Sequence, residues 1–239
     1  MTHDLSTKKN MKKSFFLLLS LLLSLTTGAQ SGFTVSENPS EGCFKLVGDD
    51  LHAVFLIDSE DAEVVATAAG CVAEDFRSVT GTALGIETTD VTKNFHDPLI
   101  YVGTVGTPLI NGLAEGGEID LTDIEGKWEV YSIQRISDGK LAIIGSTPRG
   151  TAYGLFELSR LIGVTPWIWW ADVAPGKHPT LFLSGDRMVS KEPSVKYRGI
   201  FINDEDWGLQ PWAAKGLDKK YGNIGPGSCD CSSGRTHRF

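Results

Sequence analysis

Residues 197–212 read YRGIFINDEDWGLQPW. An apolar run from Tyr197 to Ile202 opens onto Asn203, Asp204, Glu205 and Asp206, flanked by the indoles of Trp207 and Trp212. Carboxylates and an amide beside indole rings at the end of a strand suit a sugar pocket. An aromatic face packs on the C–H face of a pyranose while carboxylates and amides bond its hydroxyls. The bland alternative is a solvated acidic loop, which leaves two tryptophans beside the acids without a purpose. The chain ends 27 residues after Trp212, so most of the pocket such a strand would open is expected elsewhere.

Working outward, the N-terminus reads as a secretory signal over residues 1–29. Lys8, Lys9, Lys12 and Lys13 precede an apolar core from Phe15 to Leu25, and Thr27-Gly28-Ala29 supplies small residues for cleavage. That core is far shorter than the roughly 20 residues needed to cross a bilayer, and a secreted or periplasmic protein is expected. Its removal takes away four lysines and Asp4, leaving 18 basic against 29 acidic residues. Such a surface repels phosphates, which argues against nucleic acid or an anionic membrane as partner. Of four cysteines, Cys43 and Cys71 lie in the globular part. An oxidising compartment permits a bridge between them, but Cys71 falls inside an apolar helical stripe, which favours a buried thiol.

Short apolar runs at residues 33–35, 43–47 and 52–57 are bounded by Gly, Pro, Asn and Asp and read as strands. Between Asp61 and Thr80, Val65, Ala68, Val72, Phe76 and Val79 recur at the three-to-four spacing of a helix laid on a sheet, with Gly81 placed to stop it. Leu99 to Val105 reads as a buried strand, 107–126 as a Gly- and acid-rich loop, and Trp128–Ile136 with Leu141–Ile144 as a hairpin about Asp138-Gly139. A second helix runs from Pro148 to about Ile162, ahead of Gly163. The expected fold is therefore α/β: a small mixed-sheet layer domain with two helices over residues 30–165. A Trp-rich connector over 166–195 follows, holding a short strand from Thr180 to Leu183.

Three other candidates carry less. Gly145-Ser146-Thr147-Pro148-Arg149-Gly150 joins a strand to a helix, as a phosphate loop does, but Thr151 and Ala152 stand where a Walker loop needs Lys and Ser or Thr. The expectation is a tight turn with Arg149 on the surface. His52, His96 and His178 are isolated and lack metal-ligand spacing, and Asp204-Glu205-Asp206 lacks the pattern of a calcium loop, so no metal is expected. Trp167, Trp169 and Trp170 either glue two domains together or, if the segment is a strand, place Trp169 opposite Ile168 and Trp170 and toward a cleft.

The stretch RGTAYGLFELSRLIGVTPWIWWADVAP, Arg149 to Pro175, followed about 20 residues on by YRGIFINDEDWGLQPW, resembles glycoside hydrolase family 115. These are secreted, inverting α-glucuronidases that remove glucuronic acid or its 4-O-methyl ether from xylan. The Arg-Gly-x-x-Tyr-Gly-Leu element alone also occurs in the leading domains of hexosaminidases and family 67 α-glucuronidases; the Trp-rich connector and the Asn-Asp-Glu-Asp-Trp strand end make the match specific. The resemblance covers residues 33 to about 226. It implies that Tyr197–Ile202 is the first strand of a (β/α)₈ barrel that is truncated here, with 196–226 the start of the catalytic domain. Barrel sites sit at strand C-terminal ends. Asn203, Glu205, Asp206 and Trp207 would then bind substrate, Trp169 would reach the same pocket, and Asp206 is the leading candidate.

The resemblance further implies that the principal acid and base lie on later strands, that no cofactor is needed, and that glucuronoxylan or its oligosaccharides are the partner. It leaves a homodimer open at full length. Residues 227–239 hold Cys229 and Cys231, show no apolar periodicity, and read as an out-of-frame tail. On this reading the chain alone is inactive, because a barrel takes about 250 residues. Two competing readings are a non-catalytic carbohydrate-binding or interaction domain and the leader of a hexosaminidase-type glycosidase.

Overall fold

The computed structural model describes residues 32–48, 51–90, 98–171 and 173–198, with the side chains of Trp169 and Trp170 excepted. The segment expected to be a signal, the acids and indole at 203–207, and residues 227–239 all lie outside the described residues. In chain order the elements are β1 (Thr34–Ser36), β2 (Phe44–Val47), β3 (Val54–Ile57), α1 (Glu63–Thr80), β4 (Gly85–Thr88), β5 (Leu99–Thr104) and α2 (Pro108–Glu115). They continue with β6 (Tyr131–Ser137), β7 (Lys140–Gly145), α3 (Pro148–Leu161), the single turn α4 (Trp167–Trp170), β8 (Leu181–Ser184) and β9 (Arg187–Val189).

A six-stranded mixed sheet has the order β4-β3-β5-β7-β6-β9. Strands β4, β3, β5 and β7 are parallel neighbours, whereas β6 runs antiparallel to both β7 and β9. The side-chain period of two divides each central strand between two cores. Leu141 and Ile143 of β7 join the larger core, with Val65, Val72 and Phe76 of α1 and Leu155 and Leu158 of α3. Ala142 and Ile144 join Ile110 and Leu113 of α2 on the opposite face. Burial on both faces is why β5 and β7 read as continuous apolar runs rather than alternating ones.

The stripe from Val65 to Val79 is buried along its length, and Gly81 ends α1 at φ 91°, its N–H donating to the Arg77 carbonyl at 2.9 Å. A left-handed stop of this kind is where glycine carries no Cβ penalty. The two helices on the larger core are also joined by a polar contact: the buried Ser159 hydroxyl of α3 donates to the buried Asp75 carboxylate of α1. Cys43 and Cys71 form no disulfide, and Cys71 is buried on α1.

The structure corrects three expectations. Residues 107–126 are not all loop: Pro108 takes the first position of α2, Ile110 and Leu113 bury its inner face, and Asp58 accepts from the Leu109 N–H at 2.6 Å. The domain thus has three helices of two turns or more, not two. Trp167–Trp170 is a helical turn closed by Ala171 N–H to the Trp167 carbonyl at 2.9 Å, so the strand alternation that set Trp169 against its neighbours does not apply. Pro166, already in the right-handed helical region at φ −59° and ψ −16°, starts that turn.

The segment 166–195 is also more than a connector. Its β8 is the middle strand of a second, three-stranded sheet of order β1-β8-β2, antiparallel throughout, and its β9 closes one edge of the main sheet. Phe44, Leu46, Leu181 and Leu183 of the small sheet share the larger core. Strand β4, at the opposite edge, is half exposed and lacks the apolar alternation that identifies a strand.

Candidate functional site

After β8 the chain runs along β6 and the residues just before it. Strand β9 pairs Arg187, Met188 and Val189 with Gln134, Ile133 and Ser132. Tyr131 N–H then donates to the Ser190 hydroxyl and Ser190 N–H to the Tyr131 carbonyl, each at 2.9 Å. Trp128 N–H donates to the Glu192 carboxylate at 2.7 Å, and the Lys196 ammonium lies 4.9 Å from the centre of the Trp128 ring, within cation–π range.

This path ends at Glu129. Its carboxylate has no solvent exposure, and its backbone stands at φ 49°, the one non-glycine residue with positive φ among the described residues. The Arg198 guanidinium donates through Nη2 to Oε2, and through Nη1 to the Val195 carbonyl at 2.7 Å. Arg149, in the first turn of α3, brings Nη1 to 3.0 Å from Oε1. That second contact is an ion pair without hydrogen-bond alignment, since Oε1 has no bonded partner. The Tyr153 hydroxyl accepts from Arg149 at 3.0 Å and sits 3.5 Å from Arg198.

The surroundings account for the glycine loop that resembles a phosphate cradle. A Cβ on Gly150 would stand 2.6 Å from the Val130 carbonyl, and one on Gly145 would stand 2.0 Å from the Thr151 nitrogen. The space is taken by the protein's own backbone, because α3 starts pressed against the ends of β6 and β7. Arg149 is indeed largely at the surface but is committed to Glu129. Thr147 caps α3, accepting from the Gly150 N–H at 3.2 Å.

Of the residues expected to bind substrate, Asn203, Glu205, Asp206 and Trp207 lie outside the described residues, and Trp169 is placed by its backbone alone, in α4. Its neighbours Trp167 and Ile168 are exposed. His178 pairs with Glu37 at 2.8 Å, and no group of His, Cys, Asp or Glu among the described residues could hold a metal ion. Among those same residues no helix is long and apolar enough to cross a membrane. Glu129 was missed in the sequence because an acid inside the run WEVYSI reads as the outward face of a strand; nothing local announces a positive φ at a glutamate.

Beside it, Tyr131 is half-buried and reports on the same layer. Burial, and after it the Glu157 carboxylate that accepts its hydroxyl, push the phenol up to about 12. The ordinary value is about 10, and the folded state keeps the proton above it while the unfolded state releases it. This contribution to stability is therefore whole below pH 10 and is lost as pH rises to about 12. Tyr131→Phe should flatten the fall of melting temperature in that window relative to the unaltered chain; parallel curves would contradict the assignment.

The layered α/β domain and the chain path along β6 can now be set beside known proteins. The family model described as glycosyl hydrolase family 115 matches residues 190–226. A solved family GH115 4-O-methyl-α-glucuronidase, with specificity for decorated arabinogalactans, is 40% identical over 77% of this chain and 23% of its own, at TM-score 0.58. Both matches support membership of glycoside hydrolase family 115. It spans about a quarter of the length of that glucuronidase.

Weaker likenesses extend to a Flavobacterium johnsoniae chitobiase, 13% identical over 73% of this chain and 22% of that one at TM-score 0.42. A Streptomyces coelicolor β-N-acetylhexosaminidase is 18% identical over 66% and 24% at 0.37. Neither bears on function. No curated protein matches the chain.

Proposed function

We propose that this chain is the leading part of a secreted or periplasmic α-glucuronidase that removes glucuronic acid or its 4-O-methyl ether from side branches of a plant polysaccharide. The observation that carries the proposal is the 40% identity to a family 115 4-O-methyl-α-glucuronidase over 77% of the chain. The lysine-flanked apolar N-terminus supports export. Asn203, Glu205, Asp206 and Trp207 supply an amide, two carboxylates and an indole for the uronic-acid ring, and lie within the stretch that matches the family model. The barrel reading puts them at the C-terminal end of a first strand.

Inversion needs an acid on the leaving oxygen and a base on water at the opposite face of the ring. Both are assigned to the length of the family that this chain does not span, so the 239-residue chain by itself should release no glucuronic acid. Xylan is the polymer the sequence resemblance suggests. Arabinogalactan is a second reading, favoured by the specificity of the 40% identical relative.

The test is proton NMR of early product from 4-O-methylglucuronoxylan and from glucuronidated arabinogalactan, using a protein of full family length that carries these residues. An α-linked substrate cleaved with inversion yields the β-anomer first. The α-anomer first, or no release from either polymer, would overturn the proposal.

A further inference from the structure

We infer that Glu129 is the positioning residue that fixes where the chain leaves the α/β domain, by clamping Arg198 five residues ahead of Asn203. The backbone provides the first argument. A non-glycine residue in the left-handed region is strained, and such strain persists only where the surroundings over-determine it. A glycine at 129 would make the same turn freely, so what the strained residue adds is its side chain.

The second argument is the fate of that side chain. Its carboxylate is wholly buried, and a buried charge requires charged or bonded partners. One, Arg149, belongs to the domain; the other, Arg198, arrives from 69 residues along the chain. The Arg198 guanidinium is a planar fork, and it uses separate nitrogens for Glu129 and for the Val195 carbonyl. One side chain thereby closes the turn at 195–198 and fastens that turn to the domain. The contacts of Ser190, Glu192 and Lys196 with Tyr131 and Trp128 lead the chain to the clamp but place no buried charge.

The consequence is a defined origin for the residues that follow. A segment that starts from a fixed turn searches far fewer orientations than one that starts from a free end. The inference stands on the domain alone and does not depend on which sugar, or whether any sugar, is cleaved beyond it.

The experiment uses the 239-residue chain and chymotrypsin under native conditions, measuring cleavage after Tyr197, whose side chain is 87% exposed. Each rate is divided by that of the same bond in a free peptide of residues 190–204 with the same substitution. Arg198→Met and Glu129→Gln should each raise this ratio about tenfold or more, measured at a temperature well below the melting transition of each variant so that the domain itself stays folded. The double variant should be cleaved no faster than the faster single one, because both remove the same contact. Glu129→Gly, which relaxes the backbone but deletes the carboxylate, should behave like Glu129→Gln. Cleavage of Arg198→Met at the unaltered rate, multiplication of the two effects in the double variant, or full protection in Glu129→Gly would each overturn the inference.

Discussion

Gly145→Ala is expected to lower the unfolding free energy by about 3 kcal/mol or more, a large share of the 5–15 kcal/mol typical of a domain. A Cβ there would meet the Thr151 nitrogen at 2.0 Å, its hydroxyl at 2.4 Å and the Gly150 carbonyl carbon at 2.6 Å. These are mainly backbone atoms of the first turn of α3, so no flexible side chain can swing aside. Nor can the strand retreat. Gly145 is paired with Thr104 on one side and Tyr131 on the other, and its carbonyl accepts from Val105 at 2.9 Å.

Moving α3 outward instead would break a buried hydroxyl network, in which Thr151 lies 2.8 Å from Thr104 and donates to the Gly103 carbonyl at 3.2 Å. Gly112→Ala in α2 is the matching control: its Cβ meets nothing within 4 Å, and the change should stabilise by roughly 0.5–1 kcal/mol through helix propensity. Denaturant midpoints of the two variants measure the contrast. A loss below about 1 kcal/mol for Gly145→Ala would show that α3 is not seated as described.

How far the sequence discloses this molecule depends on whether a residue's role has a period. Val65, Ala68, Val72, Phe76 and Val79 identified α1 because a helix lying on a sheet must repeat its apolar contact every three to four residues. Helix α2 has two buried residues, Ile110 and Leu113, set among Asn111, Gly112 and Gly116, so its signal reduces to a proline at the first position. Strands β4 and β9 are short edge strands with no fully buried residue, and nothing in their apolar pattern marks them.

Trp167-Ile168-Trp169-Trp170 carries no period at all, being apolar throughout, and the helical start set by Pro166 outweighed the assumption of a strand. The glycine loop makes room for α3 against β6 and β7, and that is a packing relation between distant residues that no local pattern announces. Glu129 is less legible still. Its role comes from a backbone angle and from Arg198, 69 residues away. The cluster Asn203 to Trp207, by contrast, is conspicuous in the sequence by its chemistry alone.

That cluster supports the second large effect. Asp206→Asn, in a protein of full family length, is expected to cut glucuronidase turnover by about 10²-fold or more while leaving the melting temperature unchanged. The substitution keeps the shape and hydrogen-bonding reach of the side chain and removes its charge. A carboxylate that holds water or a sugar hydroxyl more tightly in the transition state than in the ground state shows its loss in kcat rather than in folding. On the proposed barrel reading, a carboxylate at a strand end also has no core to support.

The most direct measurement is therefore kcat and thermal midpoint for Asp206→Asn beside the unaltered protein, on 4-O-methylglucuronoxylan and glucuronidated arabinogalactan, with Asp204→Asn as the neighbouring control. A selective collapse of kcat at Asp206 with an unchanged midpoint is the predicted result. Turnover by Asp206→Asn close to that of the unaltered protein on both polymers would contradict the placement of the sugar site at the exit of this domain.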